Sequence, residues 1–287
     1  MNTSNLSIIL PAKNEANQLS RLLPKLKQAY PDVEIIVVND GSTDETPDIC
    51  AHYGVKVITH PYSKGNGAAI KTGAKAASGE ELVFMDADGQ HKPDDIAVLM
   101  EKYQSGFHMV VGARSFKSQA SIFRGLANKI YNYLASWMVG HTIQDLTSGF
   151  RVVNAKKFRQ FLFLLPNGFS YPTTITMSFF RAGYSVGYIP IEASSRGGKS
   201  HIRLFRDGAR FFLIIFKVGT LYSPLKLFLP ISFSFFILGS GYYLFTYLFQ
   251  SRFTNMSALL LVTSVIIFLI GLVSEQITSL MFSREDH

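Results

Sequence analysis

From Leu227 to Phe249, and again from Phe253 to Ser274, the chain carries no charged side chain. As helices, both stretches are long enough to cross a hydrocarbon layer of ~30 Å. Only Gln250, Ser251 and Arg252 separate them, so the spacing predicts a tight two-helix transmembrane hairpin over 223–287. A buried pair of core helices is the alternative, and the lengths favour spanning. Basic residues set the expected orientation. Arg203, Arg206, Arg210, Lys217 and Lys226 precede the first span, Arg284 follows the second, and the connection holds only Arg252. The positive-inside rule then places both termini and the N-terminal part in the cytoplasm, at the cell membrane or the endoplasmic reticulum. No signal peptide is expected, because the N-terminus runs straight into a strand-like segment.

The preceding residues alternate between two patterns. Apolar runs at Leu6–Leu10, Ile35–Val38, Val55–Ile58, Leu82–Met85 and Met109–Val111 predict strands, and the stretches near 15–29, 44–53, 66–77 and 93–104 predict helices. This rhythm argues for an α/β domain with a mostly parallel sheet covered on both faces. Beyond residue 118 the pattern changes. Ile122, Leu126, Ile130, Leu134 and Trp137 recur at helical spacing, with Arg124, Asn128 and Asn132 on another face. A second amphipathic helix is predicted over 203–222, with Leu204, Phe211, Ile215 and Val218 on one side and the basic residues on the other. Next to a span, such a helix suits the lipid interface and its anionic headgroups. The expected divisions are thus 1–118, 119–222 and 223–287.

The formal charge of +8 calls for an anionic partner, and the apolar C-terminal part favours membrane lipid and phosphorylated substrates over nucleic acid. The single cysteine, Cys50, excludes an internal disulfide and fits a helical packing position.

Chemistry is concentrated at strand ends. Leu82–Met85 runs into Asp86-Ala87-Asp88-Gly89-Gln90-His91. Open α/β sheets bind ligands at the carboxyl ends of their strands. Two carboxylates held there repel each other unless a cation lies between them, and a divalent ion bridged to a diphosphate is the natural partner. A surface turn is the plainer reading of the same residues. Pro11-Ala12-Lys13-Asn14-Glu15 follows the first strand and Asn39-Asp40-Gly41-Ser42 the second. Asp40 could accept hydrogen bonds from a nucleobase or a ribose hydroxyl, while the same segment also suits a helix-capping turn. Lys64-Gly65-Asn66-Gly67 opens a helix, where backbone N–H groups suit an anion.

Together with Asp145-Leu146-Thr147-Ser148-Gly149-Phe150-Arg151 and Arg196-Gly197-Gly198-Lys199-Ser200-His201, these stretches resemble the family 2 glycosyltransferases. The resemblance covers roughly residues 6–222 and implies the GT-A nucleotide-diphospho-sugar transferase fold. With the hairpin, the whole resembles the polyprenyl-phosphate glycosyltransferases of the dolichol-phosphate mannose synthase type. That implies an inverting transfer of a hexose from a nucleotide-diphosphate sugar to undecaprenyl or dolichyl phosphate, with Mg2+ or Mn2+. It also implies residue roles. Pro11, Ala12, Asn14, Glu15, Asp40 and Lys64 would hold the donor. Asp86, Asp88 and Gln90 would surround the metal. Arg114, Arg124, Asn128 and Ser148 would meet the lipid phosphate. Asp145 and Arg151 would line the sugar and phosphate end. Arg196, Lys199 and Ser200 would close over the diphosphate. Two positions depart from the family: Asn39 replaces a frequent Asp, and Lys199 precedes Ser200 rather than following it.

Other readings fit less well. Residues 193–200 match a relaxed phosphate-loop NTPase pattern, but Ala193 stands where the stricter motif has Gly. A processive polysaccharide synthase would carry more spans and a Gln-x-x-Arg-Trp motif. A non-catalytic scaffold has no need of the acidic pair. His91, His141 and His201 fit no zinc spacing and are expected at the surface or hydrogen-bonded. The packed spans also allow two copies to pair.

Overall fold

Alternating segments build a single sheet. In a computed structural model of the chain the described residues are 5–114, 122–168, 170–192, 216–217 and 219–283, with side chains described for all but 122–128 and 283. The elements are β1 (Leu6–Ala12), α1 (Ala16–Ala29), β2 (Glu34–Asn39), α2 (Thr46–His52), β3 (Lys56–Thr59), α3 (Asn66–Ala76), β4 (Glu81–Phe84), α4 (Asp94–Gln104) and β5 (Met109–Arg114). There follow α5 (Ile122–Val139), β6 (Arg151–Asn154), α6 (Ala155–Gln160), α7 (Tyr171–Arg181) and β7 (Val186–Ile191).

The strand order is β3-β2-β1-β4-β6-β5-β7. β1 pairs in parallel with β2 and β4, β2 with β3, and β5 with β7, while β6 runs antiparallel between β4 and β5. The sheet therefore continues beyond residue 118, where β6 and β7 complete it. Ile8, Ile9 and Leu10 of β1 and Ile36, Val37 and Val38 of β2 are fully buried, as expected of strands covered on both faces. α1 presents Leu19, Leu22, Leu23 and Leu26 to this core. Each fully buried Leu or Ile contributes about 1.5–3 kcal/mol of transfer free energy.

The chain divides into two compact units, Met1–Ser136 with His141–Ile202, and Trp137–Gly140 with Arg203–His287. The second contains α8 (Pro224–Gln250) and α9 (Asn255–Ser283), each long and apolar enough to cross a membrane. Side chains such as Phe233 (59%), Leu248 (67%) and Leu269 (52%) face outward. This exposure does not fit the core-pair alternative. The helices join through Ser251, which has a left-handed backbone (φ 49°). Ser232 and Ser264 each donate a hydroxyl to the other's carbonyl at 2.9 Å, and Gly239 lies against Leu260 and Leu261. Glu275 accepts the backbone N–H of Leu225 at 3.2 Å, so its charge lies at the positive end of α8. Lys226 donates to the carbonyls of Trp137 and Met138 at 3.3 and 3.0 Å.

α5 forms where its periodicity indicates. Tyr131, Ala135 and Met138 are buried, whereas Ile130 (51%), Tyr133 (72%) and Trp137 (44%) are exposed. Apolar residues occupy most of this helix's circumference, so spacing alone does not choose the face. Of the helix expected over 203–222, residues 203–215 and 218 lie outside the described residues, and 219–222 are helical.

Candidate active site

Parallel pairing puts the carboxyl ends of β1, β2, β3 and β4 on one edge of the sheet, and the loops leaving them enclose a cleft of about 330 Å³. Of the residues singled out in the sequence, Pro11, Ala12, Glu15, Asp40, Asp86 and Asp88 line it. Lys13, Ser63, Asn66 and Gly168 line it as well. Ser63 was missed because the loop after β3 carries no acidic signature, although it leaves the same sheet edge.

Asp40 is only 4% exposed, and its carboxylate accepts four hydrogen bonds from the chain. His60 Nδ1 (2.7 Å) and the N–H of Lys64 (2.8 Å) reach Oδ1, and the Ser63 hydroxyl and the N–H of Gly65 (both 2.8 Å) reach Oδ2. Thr72 Oγ1 meets the other ring nitrogen of His60 at 2.9 Å. Burial alone would raise the Asp40 pKa, but the bonds from His60, Lys64, Gly65 and Ser63 outweigh it and hold the group at about 2. A carboxylate offers about four acceptor positions, and here all are taken. Expected as an acceptor for the nucleoside, Asp40 instead fastens the 63–65 loop along the cleft.

The same bonds alter the reading of the α3 N-terminus. The N–H groups of Lys64 and Gly65 go to Asp40, and that of Ala68 goes to the carbonyl of Asn167 at 3.1 Å. Gly67 is required because a Cβ there would overlap the carbonyl of Pro166. The expected anion site is closed at these N–H groups, by Asp40 at Lys64 and Gly65 and by the 166–168 loop at Ala68. Lys64 does not line the cleft; its ammonium lies 5.7 Å from the ring of exposed Tyr62. Asn14 does not line it either. In a left-handed conformation (φ 57°), Asn14 accepts the N–H of Thr43 at 2.8 Å and donates its own to Ser42 at 2.9 Å. It ties the loop after β1 to the loop after β2.

Asp86 and Asp88 leave β4 on the cleft side, as the sequence indicates. Gly149 packs on Asp86: an added Cβ would lie 3.1 Å from its Oδ2 and 3.2 Å from the Tyr171 hydroxyl. Burial and the nearby Asp86 charge raise the Tyr171 pKa, which keeps the phenol neutral. Gln90 donates its backbone N–H to Asp88 at 3.2 Å and does not line the cleft. Among the described residues, no three His, Cys, Asp or Glu side chains gather as a metal cage. His91, expected at the surface or hydrogen-bonded, is 6% exposed, stacks on Phe150 with centroids 4.6 Å apart, and leaves Nδ1 without a partner. Burial lowers its pKa and favours the neutral ring.

Arg114 ends β5 and forms a two-pronged pair with Asp145: Nε to Oδ2 at 2.8 Å and Nη2 to Oδ1 at 3.0 Å. Its backbone N–H adds a bond to Oδ2 at 3.2 Å, and Nη2 also reaches Thr147 Oγ1 at 2.6 Å. Burial opposes both charges, but the pairing lowers the Asp145 pKa and raises that of Arg114. Asp145 (4% exposed) and Ser148 (1%) are buried and do not line the cleft.

Arg151 departs furthest from expectation. It lies on β6 with no exposed surface. Nη1 donates to the Pro172 carbonyl (3.3 Å) and Thr176 Oγ1 (3.1 Å), and Nη2 donates to the Ser148 carbonyl. Its guanidinium lies 5.9 Å from the Tyr171 ring centre. Sandwiched between β4 and β5, the side chain at this position points into the protein and braces the 145–150 turn from beneath. Burial lowers its pKa. It does not line the sugar and phosphate end.

Arg196, Lys199, Ser200 and the phosphate-loop-like stretch 193–200 lie outside the described residues, as do the side chains of Arg124 and Asn128.

The family model described as Glycosyl transferase family 2 matches residues 7–162, and the GtrB C-terminal hairpin model matches 223–280. A dolichol-phosphate mannosyltransferase of Pyrococcus furiosus is 37% identical over 118 residues, 39% of this chain and 34% of the relative. A dolichyl-phosphate hexose transferase of Haloferax volcanii is 25% identical over 215 residues, 74% of this chain and 93% of the relative. Several curated relatives are matched over only 34%, 46% and 65% of their own length. Among solved structures, glucosyl-3-phosphoglycerate synthase from Mycobacterium tuberculosis, in complex with Mn2+, uridine diphosphate and glucosyl-3-phosphoglycerate, superposes with a TM-score of 0.58 at 21% identity. That match covers 74% of this chain and 77% of the synthase. The likeness shows a shared GT-A-like α/β fold, and with more than half of its length matched by the family model, this chain belongs to glycosyl transferase family 2.

Proposed function

We propose that the chain moves a hexose from a nucleotide-diphosphate sugar to a polyprenyl phosphate at the cytoplasmic membrane face. The observation that carries the reading is the paired carboxylates Asp86 and Asp88 in a cleft at the carboxyl edge of a GT-A-like sheet. The chain's spanning hairpin and the names of its relatives, dolichol-phosphate mannosyltransferase among them, support the acceptor class.

The donor set fits a divalent ion. Two carboxylates without a protein cage are what Mg2+ or Mn2+ uses when phosphate oxygens and water complete its coordination. Asp86 and Asp88 would hold the ion, which supplies positive charge against the diphosphate leaving group. Pro11 and Ala12, with the loop fastened by Asp40, form the walls for the nucleoside. Lys13 and Glu15 line the same cleft.

The transfer needs no dedicated base. A phosphate monoester has a second pKa of ~6 and is already largely dianionic at neutral pH. One of its oxygens forms a bond to the anomeric carbon as the bond from that carbon to the diphosphate breaks. The sugar inverts, and a nucleoside diphosphate leaves. Two anions must be brought together, so cations around them lower the barrier. Arg114, held by Asp145, and Arg124, Asn128, Arg196, Lys199 and Ser200 are assigned to these anions by the resemblance to the family. Ile130, Tyr133 and Trp137 of α5 offer an aromatic-rich stripe to the lipid interface, with anionic headgroups as counterparts to the basic residues.

A panel of nucleotide sugars with polyprenyl phosphate, with and without chelator, tests this reading by mass spectrometry of the lipid. A hexosyl-phosphate lipid formed only with divalent ion is expected. Absence of glycosylated lipid across the panel would overturn it.

A further inference from the structure

A side chain of α5 embraces the turn that carries Asp145. Asn132 Nδ2 donates to the carbonyl of Gln144 at 2.7 Å, and its Oδ1 accepts the N–H of Leu146 at 3.0 Å. The amide thus holds the peptide groups on both sides of Asp145. One turn further along, Ser136 Oγ accepts the N–H of Ile143 at 2.9 Å and donates to the carbonyl of Asn132 at 2.6 Å. Residues four apart lie on one helix face, so the two side chains grip 143–146 as a unit. Asp145 in turn takes the backbone N–H, Nε and Nη2 of Arg114. The chain of contacts runs from helix to turn to carboxylate to guanidinium without a gap. Meanwhile Ile130 and Tyr133 of the same helix face outward.

The geometry points to Asn132 as a positioning residue for Arg114. It sets the height of the Asp145 turn above the sheet, and through it the direction of the guanidinium. α5 thereby becomes part of the site's frame as well as a surface element. An amide suits this task because it offers a donor and an acceptor together, and no aliphatic side chain of similar size does so. A loosely held guanidinium loses the fixed alignment that makes it effective against developing charge. The role in turnover rests on the proposed transfer to polyprenyl phosphate; the mechanical link does not.

Asn132→Leu and Ser136→Ala test both parts. In the lipid-phosphate transfer assay, Asn132→Leu is expected to lower kcat by about tenfold or more and to raise KM for the lipid phosphate, with KM for the nucleotide sugar nearly unchanged. Ser136→Ala is expected to follow in the same direction with a smaller loss. Amide hydrogen exchange reads the link without turnover. Protection is expected to fall at Leu146 and also at Thr147 and Arg114, whose N–H groups bond to Asp145. Loss confined to Leu146, or kcat unchanged per folded molecule, would overturn the positioning role. If wild-type protein transfers no hexose to lipid, the functional reading fails, and the exchange data still decide the link. Should Asn132→Leu not fold, the Ser136→Ala exchange pattern at Arg114 decides it.

Discussion

The two sides of the site are built on opposite principles. On the side of β1, β2 and β3, exchange between loops closes the polar groups. Asp40 takes four donors, and Asn14 joins two loops at once. On the side of β6, β7 and the 145–151 turn, Ser148 Oγ, Arg151 Nε, Tyr188 Oη and His91 Nδ1 are buried without a partner. An unmet buried polar group costs about 1–3 kcal/mol. Among the described residues the first side leaves one such atom, Asn66 Oδ1 at the cleft, and the second leaves four. In the proposed reading, donor recognition falls to the first side, and acceptor chemistry falls to a turn held by Asn132, Ser136, Arg114 and Arg151.

The largest expected effect lies between the two sides. Asp88→Ala removes half of the acidic pair and should lower turnover by about a thousandfold. The fold should persist, because Asp88 lies on the cleft side of β4's end and not in the core. Turnover and thermal unfolding measured on the same preparation check this. Near-normal turnover would mean that the acidic pair holds no cation that the transfer needs.

Arg151→Met sharpens the contrast on the second side. The substitution keeps much of the volume but removes the Arg151 donor from the carbonyls of Ser148 and Pro172, the second of which keeps the Thr176 hydroxyl. Stability should fall by about 3 kcal/mol, the range for breaking a buried polar network. kcat per folded molecule should stay within about fivefold of wild type, since the Asn132 and Ser136 grip on 143–146 and the Asp145–Arg114 pair do not use Arg151. Denaturant midpoints with active-site titration separate the two. A collapse of kcat at unchanged stability would mean that Arg151 meets substrate.

Legibility in the sequence follows the same division. Asp86 and Asp88 were readable because a run of buried apolar residues ends abruptly in two charges. The hairpin was readable because charge is absent from it, and nothing in the fold competes with that signal. Arg151 was misread for a physical reason. The resemblance assigns it to the sugar and phosphate end, whereas the antiparallel insertion of β6 between β4 and β5 buries it. Strand β6 has just four residues, too few for alternation to show. Asp40 was correctly placed at a strand end, but its partners His60 and Ser63 follow a different strand, and their approach depends on β3 pairing beside β2. Asn132 was visible as one of a polar row on α5, yet what it holds lies beyond the helix in a turn that local pattern does not reveal.

The smallest effect tests whether the first side is as closed as its bonds imply. Asp40→Asn keeps the shape and removes the charge that His60, Ser63 and two N–H groups address. The folded-state pKa of Asp40, about 2, lies below its ordinary 3.8. A carboxylate depressed in this way stabilises the fold above about pH 4, and the contribution fades as pH falls through the folded value. The shift corresponds to about 2 kcal/mol at neutral pH. Glu34 is also held at about 2, so the acid limb of the wild-type curve contains both groups. Subtracting the Asp40→Asn curve isolates Asp40, because Glu34 lies at the amino end of β2 and keeps its own partners, Ser7, Ser78 and Lys56. The difference in unfolding free energy should shrink toward zero as pH falls from about 4 to 2. Nucleotide-sugar affinity should weaken while KM for the lipid acceptor holds, since the loosened element is the 63–65 loop. A difference that does not change with pH would mean that the charge of Asp40 does not hold that loop. An equal loss for both substrates would show that the two sides of the site are mechanically one.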